Sequence, residues 1–224
     1  MTVKRGRPTA AERASRRLRV ARAVAQLLVA EGWDAVTFDR LAAETRVAKR
    51  TLYADFGDRA GLVRAAMQRL HGTLDDPPRP ERLEDAARDL VAQLLSDEAV
   101  GVHRAVIAAA ARDPELAAAF YAAGPAQAQE RLAALLSEAA VPPDAPAPPA
   151  ERAAILFAAL LGEPHRRRLL GLDPAPLDAA VAAHVDRVLA AFTPRAADPP
   201  SPHAPPPRAR SSRSSDPADA AATR

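Results

Sequence analysis

The chain has 224 residues, 48% hydrophobic and 26% charged, enough for one large or two small globular domains, and it has no cysteine, which excludes disulfides, thiolate zinc sites, iron–sulfur clusters and a cysteine nucleophile. No apolar run reaches the ~18 residues of a membrane span and the N-terminus lacks the apolar core of a secretory signal, so a soluble cytoplasmic protein without a membrane partner is expected. Residues 1–65 carry 14 Lys and Arg against 7 Asp and Glu, while the remainder is net −4, so the compact basic part calls for a polyanionic partner.

Residues 1–13 read as a flexible basic arm containing Gly6 and Pro8. A helix follows, with Val20, Ala23, Val24, Leu27 and Leu28 on one face, ending at Gly32. Trp33 is expected to pack back on the core. Thr37 suits the N-cap of a short second helix with Phe38, Leu41 and Ala42 inward, and a third short helix reads from 48 to 54 with Phe56 just beyond it. Asp58 can cap a fourth helix carrying Leu62, Ala65, Ala66 and Leu70. Pro77, Pro78 and Pro80 mark a loop. Helical patterns resume over 81–96 and 97–112, from Pro114 to Gly124–Pro125, and on to about 140. After the proline-rich run 141–149 come an apolar helix from about 150 and a last helix over 176–192. No segment alternates as a strand does. Residues 194–224 hold 8 prolines among Ser, Ala and Arg, with almost nothing to bury, and read as a disordered tail. Arg208, Arg210 and Arg213 there are weak candidates for DNA contact.

The second and third helices are short and joined by Thr45–Arg46–Val47, the form of a helix-turn-helix. Such a unit places the N-terminal half of its second helix in the major groove, where Lys49, Arg50, Thr51 and Tyr53 supply donors, while Leu52 and Phe56 face the core. Spacing alone also allows three ordinary helices of an all-α domain.

The ordered set Glu31–Gly32–Trp33, Thr37, Leu41–Ala42, Val47, Thr51–Leu52–Tyr53, Phe56 and Leu62 resembles the N-terminal domain of the TetR family of bacterial transcriptional regulators. The stretch 113–124, DPELAAAFYAAG, resembles less specifically a regulatory domain of one branch of that family. The resemblance implies an all-α protein with a three-helix helix-turn-helix DNA-binding head, a larger helical ligand-binding and dimerisation body, and a homodimer. The expected division is an arm at 1–13, a DNA-binding domain at 14–57 (helix-turn-helix from Phe38 to Phe56), a regulatory body at 58–193 and a tail at 194–224. Departures from the family pattern fall in and around the motif. Arg46 stands for the turn glycine and Ala48 for a serine cap. Arg50 stands for a glycine, Asp55 for a histidine or tyrosine, and Arg59 for a lysine. Asp55 is expected as an anion beside the DNA surface.

Expected contacts are Thr37 at a phosphate beside a helix N-terminus, Lys49 and Arg50 at base edges, Thr51 at a base or thymine methyl, and Tyr53 and Arg59 at phosphates. Lys4, Arg5 and Arg7 suit an adjacent minor groove. In the body, His103, Arg104 and Tyr121 are candidate pocket liners, although a core role is the preferred reading for His103, Phe120 and Tyr121. Arg166–Arg167–Arg168 read as a solvated face, as do Asp75–Asp76. His71, His103, His165, His184 and His203 show no metal spacing, so neither metal nor cofactor is expected. Phe157, Leu160, Val185 and Leu189 are candidates for a dimer interface. The function expected is a sequence-specific transcriptional regulator, a repressor by family default, released from palindromic double-stranded DNA by a small-molecule effector. A nonspecific architectural DNA binder would be basic throughout. An all-α enzyme finds no phosphate loop, serine elbow or carboxylate pair.

Overall fold

Helix α1 (Ala10–Glu31) opens on a capping box: the Glu12 N–H donates to Thr9 Oγ1 at 3.1 Å, and the Thr9 N–H donates to the Glu12 carboxylate at 2.7 Å. Residues 10–13, expected in a flexible arm, are therefore its first turn. In the computed structural model, residues 9–70, 82–138 and 147–192 are described, and among them there are ten α-helices and no strand. The all-α expectation is met. The arm residues Lys4, Arg5 and Arg7, together with His71, Asp75–Asp76, the loop prolines 77, 78 and 80, most of the proline-rich run 141–149, and the tail with His203, Arg208, Arg210 and Arg213 lie outside the described residues.

Gly32, at φ 82°, ends α1, and Trp33 turns back into the core through a short 3-10 turn. Helix α2 (Phe38–Thr45) starts on Thr37, whose hydroxyl oxygen accepts from the Arg40 N–H. Arg46 ends it in the left-handed region at φ 56°, ψ 32°, the one positive-φ non-glycine residue among those described. Val47 then plugs the turn, and α3 (Lys49–Phe56) buries Leu52 and Phe56. Its N-cap Ala48 makes no side-chain bond. Asp58 caps α4 (Arg59–Leu70) through the Gly61 N–H at 2.7 Å. A Cβ at Gly61 would lie 1.7 Å from the Phe56 carbonyl oxygen, so only glycine lets α4 start this close to the end of α3.

The remaining helices are α5 (Leu83–Leu94), α6 (Asp97–Ala110), α7 (Pro114–Ala123), α8 (Pro125–Glu138), α9 (Pro149–Leu169) and α10 (Asp178–Phe192). Ser96 and Asp113 cap α6 and α7. Two apolar clusters form. One joins α1 to α4 with Val102, Val106 and Ala109 of α6 and Leu116 and Ala123 of α7. The other joins α5, α8, α9 and α10 around Leu132, Leu156, Leu160 and Val185. The first core thus does not stop at residue 57; it continues into α4, α6 and α7.

Helix α9 breaks at Gly162 (φ 28°, ψ −127°), two residues before Pro164. A proline has no N–H and its ring crowds the carbonyl four residues back, here Leu160. That freed carbonyl accepts from His184 Nε2 of α10 at 2.9 Å. Beyond the break, Arg168 is buried, correcting the solvated face expected for the arginine run. Its guanidinium donates to the Leu95 and Asp173 carbonyls and to the Asp97 carboxylate, fastening the end of α9 to the α5–α6 junction. Arg166 and Arg167 are exposed and pair with Glu163 and Asp173.

A side chain at a left-handed position is disfavoured by about 1 kcal/mol relative to glycine, partly offset by the greater freedom glycine gives the unfolded chain. Arg46→Gly should raise the melting temperature by about 1–3 °C. Differential scanning calorimetry checks this, and a lower melting temperature would mean that Arg46 makes a compensating contact.

Candidate DNA-binding surface and ligand cavity

Helix α3 presents Lys49, Arg50 and Tyr53 to solvent, with Thr51 half-buried, while Leu52 and Phe56 lock its other face to the core. The Tyr53 ring stacks on Phe38 of α2 with centroids 3.9 Å apart and planes 13° from parallel. This holds the phenol at the surface. Lys49 Nζ lies 2.8 Å from the Asp39 carboxylate, and that hydrogen bond raises the lysine pKa and keeps it charged. Arg50 is exposed and makes no ion pair among the described residues. Thr37 is exposed at the start of α2; its oxygen accepts the capping bond, which leaves its O–H as a donor.

Two of the expected roles change. Asp55 is not a bare anion at the surface: Arg16 of α1 holds it through Nε at 2.9 Å, with both side chains only 17% exposed. The pair ties α3 to α1. Arg59, expected at a phosphate, turns inward. Its guanidinium lies 3.9 Å from the Trp33 ring and donates to the carbonyls of Trp33, at 2.7 Å, and Val36, at 3.1 Å. The Trp33 indole N–H in turn donates to the Asp113 carboxylate at the start of α7. The Leu116 N–H first, and this indole second, hold the Asp113 carboxyl below the usual carboxylate range.

A cavity of about 460 Å³ lies between α4, α5, α6, α7, α8 and α9. Its walls are mostly apolar, with Met67, Val106, Phe120 and Phe157 among them. The candidates His103 and Tyr121 both line it, and Tyr121, 56% exposed, is not a core residue. Arg104 does not line it: Nε and Nη2 donate to the Leu169 and Arg168 carbonyls at the end of α9. His165 joins the wall, its Nε2 3.2 Å from His103 Nδ1. The sequence reading missed this pair because 62 residues separate its members. The available signal was the Gly162–Glu163–Pro164 break, which redirects the chain just before His165. Gln93, also overlooked, lines the cavity with a buried Nε2 that has no hydrogen-bond partner among the described residues.

The interface candidates divide. Leu160 and Val185 are fully buried within the chain's own core, because α9 and α10 pack against α5 and α8 through them. Leu189 packs half-buried on the same cluster, and Phe157 lines the cavity. The solvent side of α9 instead presents Ala154, Ile155, Ala158 and Ala159, and that of α10 presents Ala179, Ala180 and Ala183. Among the described residues, no helix is long and apolar enough to cross a membrane.

A cationic helix beside a partner helix, backed by a helical body with an apolar cavity, defines a helix-turn-helix DNA-binding regulator. The sequence matches the family model for bacterial regulatory proteins of the tetR family over residues 21–66, and that for the C-terminal domain of AefR-like transcriptional repressors over residues 81–195. The chain belongs to the TetR family, one of transcriptional regulators rather than enzymes. No curated protein matches it. Similar solved structures include a TetR transcriptional regulator from Agrobacterium tumefaciens (28% identity, TM-score 0.62, covering 79% of this chain and 92% of that one). The flavonoid-responsive regulator FrrA is 28% identical, with a TM-score of 0.58, covering 80% and 95%. A TetR family transcriptional regulator from Pseudomonas syringae pv. tomato str. DC3000 shares the fold at 22% identity, with a TM-score of 0.56, covering 80% and 94%.

Burial first, and the neighbouring His103 second, push His165 from 6.5 to about 4. Between those values the unfolded chain binds the proton that the folded chain refuses, so stability falls as pH drops from about 6.5 toward 4 and is level above about 7. With the ring partly solvated, the loss across the window should be about 1–2 kcal/mol. Urea unfolding at pH 7.5 and pH 5 checks this, with His165→Gln expected to flatten the difference. An unchanged difference in the variant would assign the pH response to other groups.

Proposed function

We propose that the protein is a homodimeric repressor that holds a palindromic operator through α3 and is released by a small molecule bound in the cavity. The observation that carries this reading is the sharing of side chains between the two regions. Met67 of α4 and Val102 and Val106 of α6 line the cavity and belong to the same core that supports the helix-turn-helix. An occupant that pushes on them acts on the support of the DNA-reading helix. In this reading Arg50 and Lys49 reach base edges, Thr51 touches a base or a thymine methyl, and Thr37 and Tyr53 hold phosphates. Arg59 serves the fold.

The test is binding to an operator mutation series, starting with the DNA flanking the protein's own gene. Arg50→Ala should cost about 1–3 kcal/mol on the best site and relax preference at one base pair. Tyr53→Phe should weaken all sequences alike, and Arg59→Ala should lower the melting temperature. Equal weakening of specific and random DNA by Arg50→Ala would defeat base reading by this helix.

The dimer is assigned to the alanine-rich outer faces of α9 and α10, on which Ile155 is 53% exposed. These faces let two backbones approach closely, and a charge buried there would be unpaired. Ile155→Glu and Ala158→Glu should give folded monomers that no longer hold a palindrome tightly. Leu160→Glu, in the chain's own core, should lose helicity instead. Light scattering with circular dichroism reads both. A wild-type protein that is monomeric at micromolar concentration would overturn the assignment.

A further inference from the structure

The cavity wall is drawn from six helices of a chain rich in charged residues, yet among the described residues it contains no Asp, Glu, Lys or Arg. The nearby basic groups Arg104 and Arg168 are committed to backbone carbonyls and, for Arg168, the Asp97 carboxylate. A carboxylate or ammonium entering here would lose water and meet no opposite charge. The wall does hold hydrogen-bonding groups. The buried Gln93 Nε2 is a donor without an acceptor among the described residues. The His103–His165 bond adds a second feature. When both imidazoles are neutral, whichever ring donates across the 3.2 Å contact, one of the two remaining ring nitrogens carries a proton and the other a lone pair. The pair therefore always offers one donor and one acceptor, and exchanging tautomers swaps which ring offers which. Phe120, Tyr121 and Phe157 add flat faces to the same wall. About 460 Å³ is the size range of pockets for drug-sized molecules.

Resting on the effector-site reading above, we propose that this cavity takes an electrically neutral ring compound carrying a hydroxyl or carbonyl group, and that Gln93 and the His103–His165 pair read that group. The neutral wall sets the class, and the adaptable imidazole pair accepts either a donor or an acceptor from the ligand.

The proposal is tested with four probes that share one skeleton: 2-naphthol, naphthalene, 2-naphthoate and 2-naphthylmethylammonium, titrated calorimetrically into the full-length protein at pH 7.5. 2-Naphthol should bind about tenfold or more tighter than either ion and than naphthalene. Gln93→Leu and His165→Phe should each reduce 2-naphthol toward the affinity of naphthalene, while naphthalene binding, which reports an intact cavity, stays within about twofold. If 2-naphthoate or the ammonium binds as tightly as 2-naphthol, the neutral class is overturned although the cavity remains an effector site. If 2-naphthol gains nothing over naphthalene, or keeps its advantage in both variants, the polar reading is overturned. If none of the four binds to protein that still holds DNA, the effector-site reading falls and the proposal with it.

Discussion

The clasp of Arg59 on the turn after α1 is the interaction on which the rest of the molecule depends. The Trp33 carbonyl accepts the turn's own bond from the Val36 N–H, but the Val36 carbonyl that follows needs a donor of its own. Arg59 supplies that donor, gives the Trp33 carbonyl a second one, and lies against the indole ring. The indole N–H reaches Asp113, which also caps α7. One cation thereby fixes the entry to α2, the start of α4 and, through the indole, the start of α7. Gly61, two residues on, allows α4 to begin against the end of α3. Between the α2 and α4 that these contacts place, α3 is held by its neighbours and not by its own short hydrogen-bonded length.

The same arrangement explains why the two apolar clusters meet at a cavity. Helices α6 and α7 give one side to the head's core, and α5, α8 and α9 give theirs to the other. The space between is closed by side chains from both sets, with Met67 and Leu70 at the end of α4 reaching it from the head. The break in α9 adds the last piece. Proline removes a donor and displaces a carbonyl, His184 takes up that carbonyl, and the redirected chain delivers His165 to the wall.

What could be read from the sequence was local. Thr37, Asp58, Ser96 and Asp113 are caps whose partners lie three residues away. Gly32 and Pro114 act within one turn of where they stand. The Thr9–Glu12 box is equally local, three residues apart, and starts α1 inside the basic segment that charge alone marks as an arm. The roles that changed depend on distant partners. Arg16 meets Asp55 across 39 residues and Arg168 meets Leu95 across 73. Helical spacing marked Leu160 and Val185 as apolar faces, but periodicity gives a face and not its neighbour, so inward packing on α5 and α8 could not be told from contact with a second copy. His103 and His165 needed a chain break to come together.

The Lys49–Asp39 and Arg16–Asp55 pairs also bear on the charge that the head can offer to DNA. Each gives a cation of the head a carboxylate of the same chain as its counter-anion. A free lysine on a DNA-binding surface releases a condensed salt ion from the duplex for each phosphate it neutralises. In the proposed complex Lys49 would give up Asp39 to reach the nucleic acid, and the displaced carboxylate would stay behind as a repulsive neighbour. If α3 faces DNA as proposed, the attraction to arbitrary sequence would be smaller than the net charge of the first 65 residues suggests. Arg50, without such a partner among the described residues, would then carry more of the attraction that remains.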